Sequence, residues 1–240
     1  MCDSPDKTPI WKAIADALRS DLAEGHYSPG EKLPTEAALA DRFGVNRHTV
    51  RHGLSALVSE GLVRTRRGAG AFVVSTPADY RLGHRVRFHE NLIDAGRHPE
   101  KRVLSLDTRA ATQGEARALH IQVGDQVCAY HGLLLADGQP LAVVLSVFPS
   151  MRLSGIFEAL FATTSVTQAL RSVGIDDYTR ASTRLTAVRS TATQALLLQA
   201  GEGDPLLRSS SVNQCANAIP VEYGRTWFVG DRITLTLGET

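Results

Sequence analysis

The sequence predicts an α+β protein in two parts: a helical N-terminal part ending in a small β-hairpin, and a larger part with helices around an antiparallel sheet. Residues 9–60 place apolar side chains at helical spacing, whereas residues 102–237 contain several apolar or alternating runs of strand length. At 240 residues and 43% hydrophobic, the chain can bury the cores of two domains. We expect domains at residues 1–76 and 84–240, joined by a Pro- and Gly-containing linker at 77–83.

Three helices are predicted in the N-terminal part. The first covers residues 9–24, where apolar residues recur every three or four positions. After a loop, Thr35 is suited to cap a short second helix that ends near residue 43, and Gly44 terminates it. Asn46 is suited to cap the third helix, residues 47–60.

The third helix has two chemically different faces. One face is apolar and comprises Val50, Leu54, Leu57 and Val58. The opposite face is polar and comprises His48, Arg51, His52, Ser55 and Ser59, with Arg47 in the first turn. Two short helices joined by a tight turn form a helix-turn-helix, whose second helix enters the major groove of DNA.

A β-hairpin follows, with strands at residues 62–65 and 71–74 and a basic, glycine-rich tip at 66–70. This is the wing of a winged helix. Residues 42–68 hold six arginines and one acid, although the whole chain has a net charge of only +1. A solvated basic face is the ordinary explanation of such a run, but the order of helix, turn, polar-fronted helix and basic hairpin favours a surface that binds a polyanion.

The larger part has the pattern of hairpins with helices between them. Strands are predicted at residues 102–106, 127–135, 141–148, 180–188, 206–212, 221–229 and 233–237. Helices are predicted at residues 153–161, 166–173 and 191–199. Asp137-Gly138 is a strong hairpin turn between two of these strands.

The segment LPTEAALADRFGVNRHTVRHGLSALVSEGLVRTRRGAGAFV, residues 33–73, resembles the DNA-binding domain of GntR-type bacterial regulators. The resemblance implies double-stranded operator DNA as a partner. The contacts it implies are Thr35, Arg47, His48, Thr49, Arg51, Arg67 and Gly68. Many members have an arginine where this chain has Ala37, which implies a different reading of the operator at that point.

The second part resembles the effector-binding UTRA domain of the HutC branch, which has the chorismate lyase fold. The matching features are ADGQPLA, Phe148-Pro149 and IPVEYGRTWFVGDRITLTL, while NRHTVR and RFHENLIDAGRHP resemble regulators of phosphonate utilisation. The resemblance implies an anionic small-molecule effector and a site containing His89 at a helix start and Glu222, against a structural role for each. Arg87 is a further candidate that could neutralise the anion, with an ordinary exposed arginine as the alternative. Many sugar-phosphate-sensing members carry an arginine pair and a glutamate where this chain has Gly132, Leu134 and Val144. A phosphosugar is therefore disfavoured, and other groups must hold any phosphonate.

No motif for catalysis, metal or cofactor binding is present in the sequence. HxH, HExxH, GxSxG and a phosphate-binding glycine loop are all missing. The three cysteines are scattered, as expected of reduced thiols. The N terminus lacks the pattern of a signal peptide, and the longest apolar-rich run, residues 141–148, is too short for a membrane helix. We therefore expect a cytoplasmic protein that is not an enzyme.

The sequence thus predicts a homodimeric transcription factor, a repressor that a small molecule controls. A single DNA-binding module buries only about 600–1,000 Å² of protein surface, so a dimer on two half-sites gains affinity and specificity. Two alternatives stay open. In the first alternative, residues 84–240 are a small lyase-like enzyme fused to a DNA-binding head. In the second, these residues only form the dimer.

Overall fold

The computed structural model describes residues 9–66, 68, 70–74, 77–83, 88–163 and 165–237. The chain divides into two compact units, Met1–Thr76 and Pro77–Thr240. Two predicted site residues, Arg67 and Arg87, lie outside the described residues. Within the described part of the chain, no helix is both long and apolar enough to cross a membrane.

The first unit consists of three helices followed by a two-stranded hairpin. The elements are α1 (Ile10–Ala23), α2 (Glu36–Phe43), α3 (Arg47–Ser59), β1 (Val63–Arg66) and β2 (Gly70–Val73). The predicted caps are present: the Thr35 side chain accepts from the Ala38 N–H, and the Asn46 side chain accepts from the Thr49 N–H. Gly44 ends α2 in the left-handed region at φ 63°, where glycine carries no Cβ penalty.

The three helices enclose one apolar core. Its fully buried side chains include Ile14, Leu18, Leu39, Val50, Leu54 and Leu57. Gly53 allows α1 and α3 to approach closely, since a Cβ atom there would lie 3.0 Å from the Trp11 carbonyl oxygen. Val58 was predicted on the apolar face but is exposed, because the packed stripe of α3 follows the other three apolar residues.

The second unit is built on a six-stranded antiparallel sheet with strand order β4-β5-β6-β9-β8-β7. Its strands are β4 (Pro99–Ala110), β5 (Gln126–Ala136), β6 (Gln139–Pro149), β7 (Tyr178–Arg189), β8 (Pro205–Cys215) and β9 (Pro220–Val229). A separate parallel pair joins β3 (Ala78–Arg81) to β10 (Ile233–Thr236). The helices are α4 (Phe88–Asp94), α5 (Gln113–Leu119), α6 (Ile156–Ala162), α7 (Val166–Ser172) and α8 (Ala192–Leu198). This is the predicted α+β architecture.

Four details differ from the sequence-based prediction. The predicted linker 77–83 contains β3, because its residues pair with the last strand of the chain. Helix α5 was not predicted, and the strand predicted at 102–106 extends over the whole of β4, since its partner β5 is equally long. The helix predicted at 153–161 begins only at Ile156, after a turn at Gly155 with φ 83°.

The two faces of the sheet carry different layers. On one face, α5 and α8 pack against alternate residues of β5, including Val127 and Leu135. On the other, α6 and α7 pack against Cys128 and Tyr130. The alternation of β-strand side chains assigns neighbouring residues to opposite layers. The second layer leaves part of its sheet face uncovered, and a cavity lies there.

An ion pair fastens α5 to the sheet. Glu115 is 1% exposed and accepts from Arg109 at 2.7 and 2.8 Å, and Arg225 lies 3.5 Å away. The same carboxylate closes a capping box with Thr112 at the start of the helix. Hydrogen bonding from the Arg109 guanidinium is the largest cause that lowers the pKa of Glu115 to about 2.

Candidate nucleic-acid surface and ligand cavity

The start of α3 presents an exposed polar row, which the buried opposite stripe holds in place. Arg47, His48, Arg51, His52 and Ser55 are all exposed. Within the described residues, the side chains of Arg47 and His48 have no hydrogen bond or ion pair. Two cationic or ionisable groups at the N-terminal end of this helix are therefore free to meet DNA.

Arg51 is held differently, in a fork-to-fork ion pair with Glu36 at the start of α2. Its Nε and Nη2 donate to the two carboxylate oxygens at 3.0 and 2.7 Å. The hydrogen bonds raise the pKa of Arg51 and lower that of Glu36. Because the pair is at the surface, water screens it and the guanidinium can exchange the carboxylate for another acceptor. The sequence did not reveal this competition.

A shallow groove runs along the exposed side of α3. It is lined by Trp11, Asn46, His48, Thr49, Arg51, His52 and Ser55, with a volume of about 470 Å³. Trp11 stacks on His52 at a centroid distance of 4.2 Å and an interplanar angle of 20°. Thr49 donates its hydroxyl to Asn46 at 3.0 Å, so that this predicted contact is partly engaged in the cap.

The wing is a short antiparallel hairpin of β1 and β2. Gly68 at its tip is exposed and adopts φ 75°, a backbone conformation that suits glycine. Arg66 is not available there, because it is buried and lies over the Phe72 ring at 4.8 Å. Sequence reasoning missed Lys32, whose backbone forms a bridge to Phe72 and whose side chain lies against Gly70.

In the second unit, a cavity of about 460 Å³ lies on the layer that contains α7. Its floor is made of alternate residues of the sheet: Tyr130 and Leu134 on β5, Val144 and Ser146 on β6, Ser211 and Asn213 on β8, Glu222, Gly224 and Thr226 on β9. Its walls come from Tyr80 on β3, residues 88–90 of α4 and residues 165–168 and 171 at α7. The site mixes apolar surface with a few convergent polar groups, the usual character of a small-molecule site.

Glu222 lies on this floor in a hydrogen-bonded network. Its two carboxylate oxygens accept from the Ser146 hydroxyl at 2.5 Å and from the Asn213 side-chain amide at 2.7 Å. Asn213 in turn accepts from Arg180 Nε at 2.8 Å. Each carboxylate oxygen retains a second acceptor direction, so that Glu222 can still accept from a ligand donor. The network fixes where that donor must lie.

Among the described residues, three fixed cations line the cavity: Lys101, Arg171 and Arg180. In the part of the chain that the structure describes, none of them forms an ion pair with a carboxylate. The carboxylates that line the cavity are Glu90 and Glu222. The part of the cavity that the structure describes therefore has more positive than negative fixed charge and suits a ligand with an acidic group.

The predicted departures at Gly132, Leu134 and Val144 have a structural consequence. A Cβ atom on Gly132 would come within 2.9 Å of the Tyr130 ring and 3.0 Å of its hydroxyl oxygen. The Tyr130 ring thus takes the space that a side chain at 132 would use, while Leu134 and Val144 present apolar surface to the cavity. No arginine from β5 enters the site, and its cations come from other elements.

Of the predicted effector residues, the structure brings His89 and Glu222 to the same cavity. His89 lies one residue after the start of α4. The three cavity cations were not predicted. The one available signal for Lys101 was compositional, since it is the single lysine after Lys32.

The comparisons with known proteins cover most of the chain. Residues 11–73 match the family model described as bacterial regulatory proteins of the gntR family, and residues 94–234 match the UTRA domain. The chain belongs to the GntR family. Its C-terminal unit is therefore an effector-binding UTRA domain.

Two relatives and one solved structure place this GntR regulator more closely. It is 35% identical to an uncharacterized HTH-type transcriptional regulator of Rhizobium meliloti over 95% of this chain and 94% of that protein. It is 33% identical to the probable transcriptional regulator PhnF of Escherichia coli, over 95% and 94% of the two chains. The crystal structure of PhnF from Mycobacterium smegmatis is 26% identical and covers 95% of this chain and 99% of its own, with a TM-score of 0.66.

Proposed function

We propose that this GntR regulator is a homodimeric repressor whose affinity for its operator is set by a small anionic effector in the UTRA cavity. The observation that carries the proposal is the combination, in one chain, of an exposed, arginine-bearing α3 with a cavity whose cations form no ion pair with a carboxylate within the described residues. The first feature suits phosphate and base edges, and the second suits an acidic metabolite.

On the DNA side, Arg47 and His48 are the groups that reach base edges, since neither has an internal partner within the described residues. Arg51 also contacts DNA, after its guanidinium has left the Glu36 carboxylate. Gly68 lets the wing approach the backbone, and Arg67 beside it supplies charge. A two-fold dimer reads a pseudo-palindrome with its two copies of α3.

On the effector side, the ligand carries an acidic group for the cavity cations and a hydrogen-bond donor for Glu222. His89 at the start of α4 faces the acidic end. Because two segments of the sequence resemble regulators of phosphonate utilisation, phosphonates are the first class to test. The effector acts by shifting the population of two arrangements of the dimer that differ in operator affinity.

The DNA half is tested with Arg47→Ala. A base-reading arginine predicts a loss of about 10- to 100-fold on an operator selected from random DNA, with a smaller loss on scrambled DNA at the same salt concentration. Arg102→Ala, an exposed change in the other unit, is the matched control and should leave both affinities unchanged. Equal losses on both DNAs would reduce Arg47 to a phosphate contact.

The effector half is tested by measuring operator affinity against a panel of phosphonates, phosphate esters and carboxylates. Glu222→Gln should bind operator normally in their absence and respond weakly to the active compound. Analytical ultracentrifugation measures whether the protein is a dimer in solution. A dimer that holds its operator against the whole panel supports a purely dimerising second unit, and turnover of chorismate or a phosphonate supports the lyase-like alternative.

A further inference from the structure

One cation of the cavity has no counter-ion in contact with it. Within the described residues, no hydrogen bond or ion pair reaches the ammonium group of Lys101. The ammonium group lies over the face of Tyr130, with Nζ 6.0 Å from the ring centroid. Desolvation by the surrounding protein lowers the pKa of Lys101, with a smaller opposite effect from Glu222. The folded protein thus holds a positive charge in a place where that charge is poorly solvated.

The register of the sheet explains why this lysine enters the cavity. Lys101 on β4 is paired directly with Leu134 on β5. Residues directly opposite each other in an antiparallel pair point to the same face with Cβ atoms about 5 Å apart. Leu134 is on the cavity floor, so Lys101 shares that face and supplies the charge that the leucine lacks.

A second polar group beside Lys101 also lacks a partner. The Tyr130 hydroxyl is buried and makes no hydrogen bond within the described residues. Burial raises the pKa of Tyr130 to about 12, so the hydroxyl keeps its proton and is a donor at neutral pH. Lys101 and Tyr130 both line the cavity, and within the described residues neither the ammonium nor the hydroxyl has a hydrogen-bond acceptor. Both donors call for the same kind of ligand atom, an anionic oxygen.

We propose that Lys101 is the residue that anchors the oxyanion head of the effector, with the Tyr130 hydroxyl as an additional donor. The inference rests on the proposed function and makes it specific. The head is a phosphonate, phosphate or carboxylate whose oxygen replaces the missing counter-ion of Lys101. The opposite end of the ligand, with its donor, is directed toward Glu222.

The experiment uses the full-length protein and five small probes: inorganic phosphate, methylphosphonate, 2-aminoethylphosphonate, acetate and the uncharged dimethyl methylphosphonate. Binding is measured by calorimetry for wild type, Lys101→Met, Lys101→Arg, Tyr130→Phe and the control Arg102→Met. Arg102 is the next residue on the strand, its side chain is 58% exposed, and it does not line the cavity. The anionic probes separate phosphonate, phosphate and carboxylate heads, and the uncharged ester should not bind.

Lys101→Met should lower the affinity for the anionic probe that wild type binds best by about 10- to 100-fold, the usual cost of losing a charged hydrogen bond. Arg102→Met should change it by less than about twofold. Tyr130→Phe should lower this affinity several-fold. Lys101→Arg should retain part of the affinity because the positive charge remains. Lys101→Met should also raise the melting temperature of the ligand-free protein, because it removes a poorly solvated charge.

Three results would overturn the inference. Equal losses in Lys101→Met and Arg102→Met would mean that general electrostatic attraction, not a site, holds the anion. A lower melting temperature of Lys101→Met would make Lys101 a structural counter-ion of Glu222. If the wild-type protein bound none of the anionic probes, the proposal that Lys101 anchors an oxyanion would be refuted. Operator affinity of the same preparation, measured in parallel, tells these failures apart from a failure of the proposed regulator.

Discussion

Replacing Glu115 by glutamine should make the second unit less stable and should remove a specific part of its pH dependence. Glutamine preserves the shape and can keep the capping box with Thr112, so the variant deletes chiefly the charge that faces Arg109 and Arg225. The pKa of Glu115 falls from 4.5 to about 2 on folding. A shift of this size corresponds to about 3 kcal/mol at pH 7, which screening at the two partly exposed guanidinium groups reduces to about 2 kcal/mol.

The sign follows from the lowered pKa in the folded state. The carboxylate stabilises the fold fully above the unfolded pKa of 4.5 and loses this effect as the pH falls toward 2. At pH 3, less than about half of the stabilisation by the Glu115 carboxylate should therefore remain.

Urea unfolding followed by Trp227 fluorescence in a Trp11→Phe background reports on the second unit. We expect the difference between wild type and Glu115→Gln to shrink between pH 7 and pH 3, whereas the exposed control Glu100→Gln should match wild type throughout. A difference below about 0.5 kcal/mol at pH 7, or one that does not change with pH, would refute a stabilising ion pair.

Three further outcomes are expected. Glu36→Gln frees Arg51 from its surface ion pair and should strengthen binding several-fold to both operator and scrambled DNA, as measured by anisotropy at fixed salt; unchanged affinity would mean that DNA does not compete with Glu36. Arg67→Ala should flatten the slope of log K against log salt by about 0.9 if this residue contacts phosphate, and an unchanged slope would place it in solvent. Arg232 is 2% exposed and donates to three backbone carbonyl groups, so Arg232→Met should cost at least about 2 kcal/mol in urea unfolding; full stability would mean that the carbonyls find other donors.

The first unit was predictable because its signals are local. Thr35 and Asn46 each satisfy an N–H three residues ahead, so the start of a helix is written within one turn of sequence. The buried stripe of α3 repeats every three or four residues and is readable for the same reason. The ion pair between Glu36 on α2 and Arg51 on α3 depends on tertiary geometry and could not be predicted from the sequence.

The second unit was predictable where strands are long and adjacent, as for β5 and β6 around Asp137-Gly138. Helix α5 was missed because one of its three buried side chains is Glu115, a charged residue that is buried through its ion pair with Arg109 and therefore does not belong to an apolar stripe. Lys101 was missed because its role comes from its pairing with Leu134, and register across a sheet cannot be read from one strand. Resemblance indicated His89 and Glu222, whereas the charge that compensates a missing arginine could come from any neighbouring strand.

The parallel pairing of β3 with β10 has a consequence for biosynthesis. About 150 residues separate Arg81 from Ile233, and chains emerge from the ribosome at about 5–20 residues per second. The three helices and hairpin of residues 9–74 can fold while the partner of β3 has not yet been made. Tyr80, which borders the ligand cavity, lies on β3 and acquires its sheet partner only with the last residues of the chain. A polypeptide interrupted before β10 would therefore carry a complete DNA-binding head and an unfinished receptor, so that unfinished chains could occupy an operator without the means to respond to the effector.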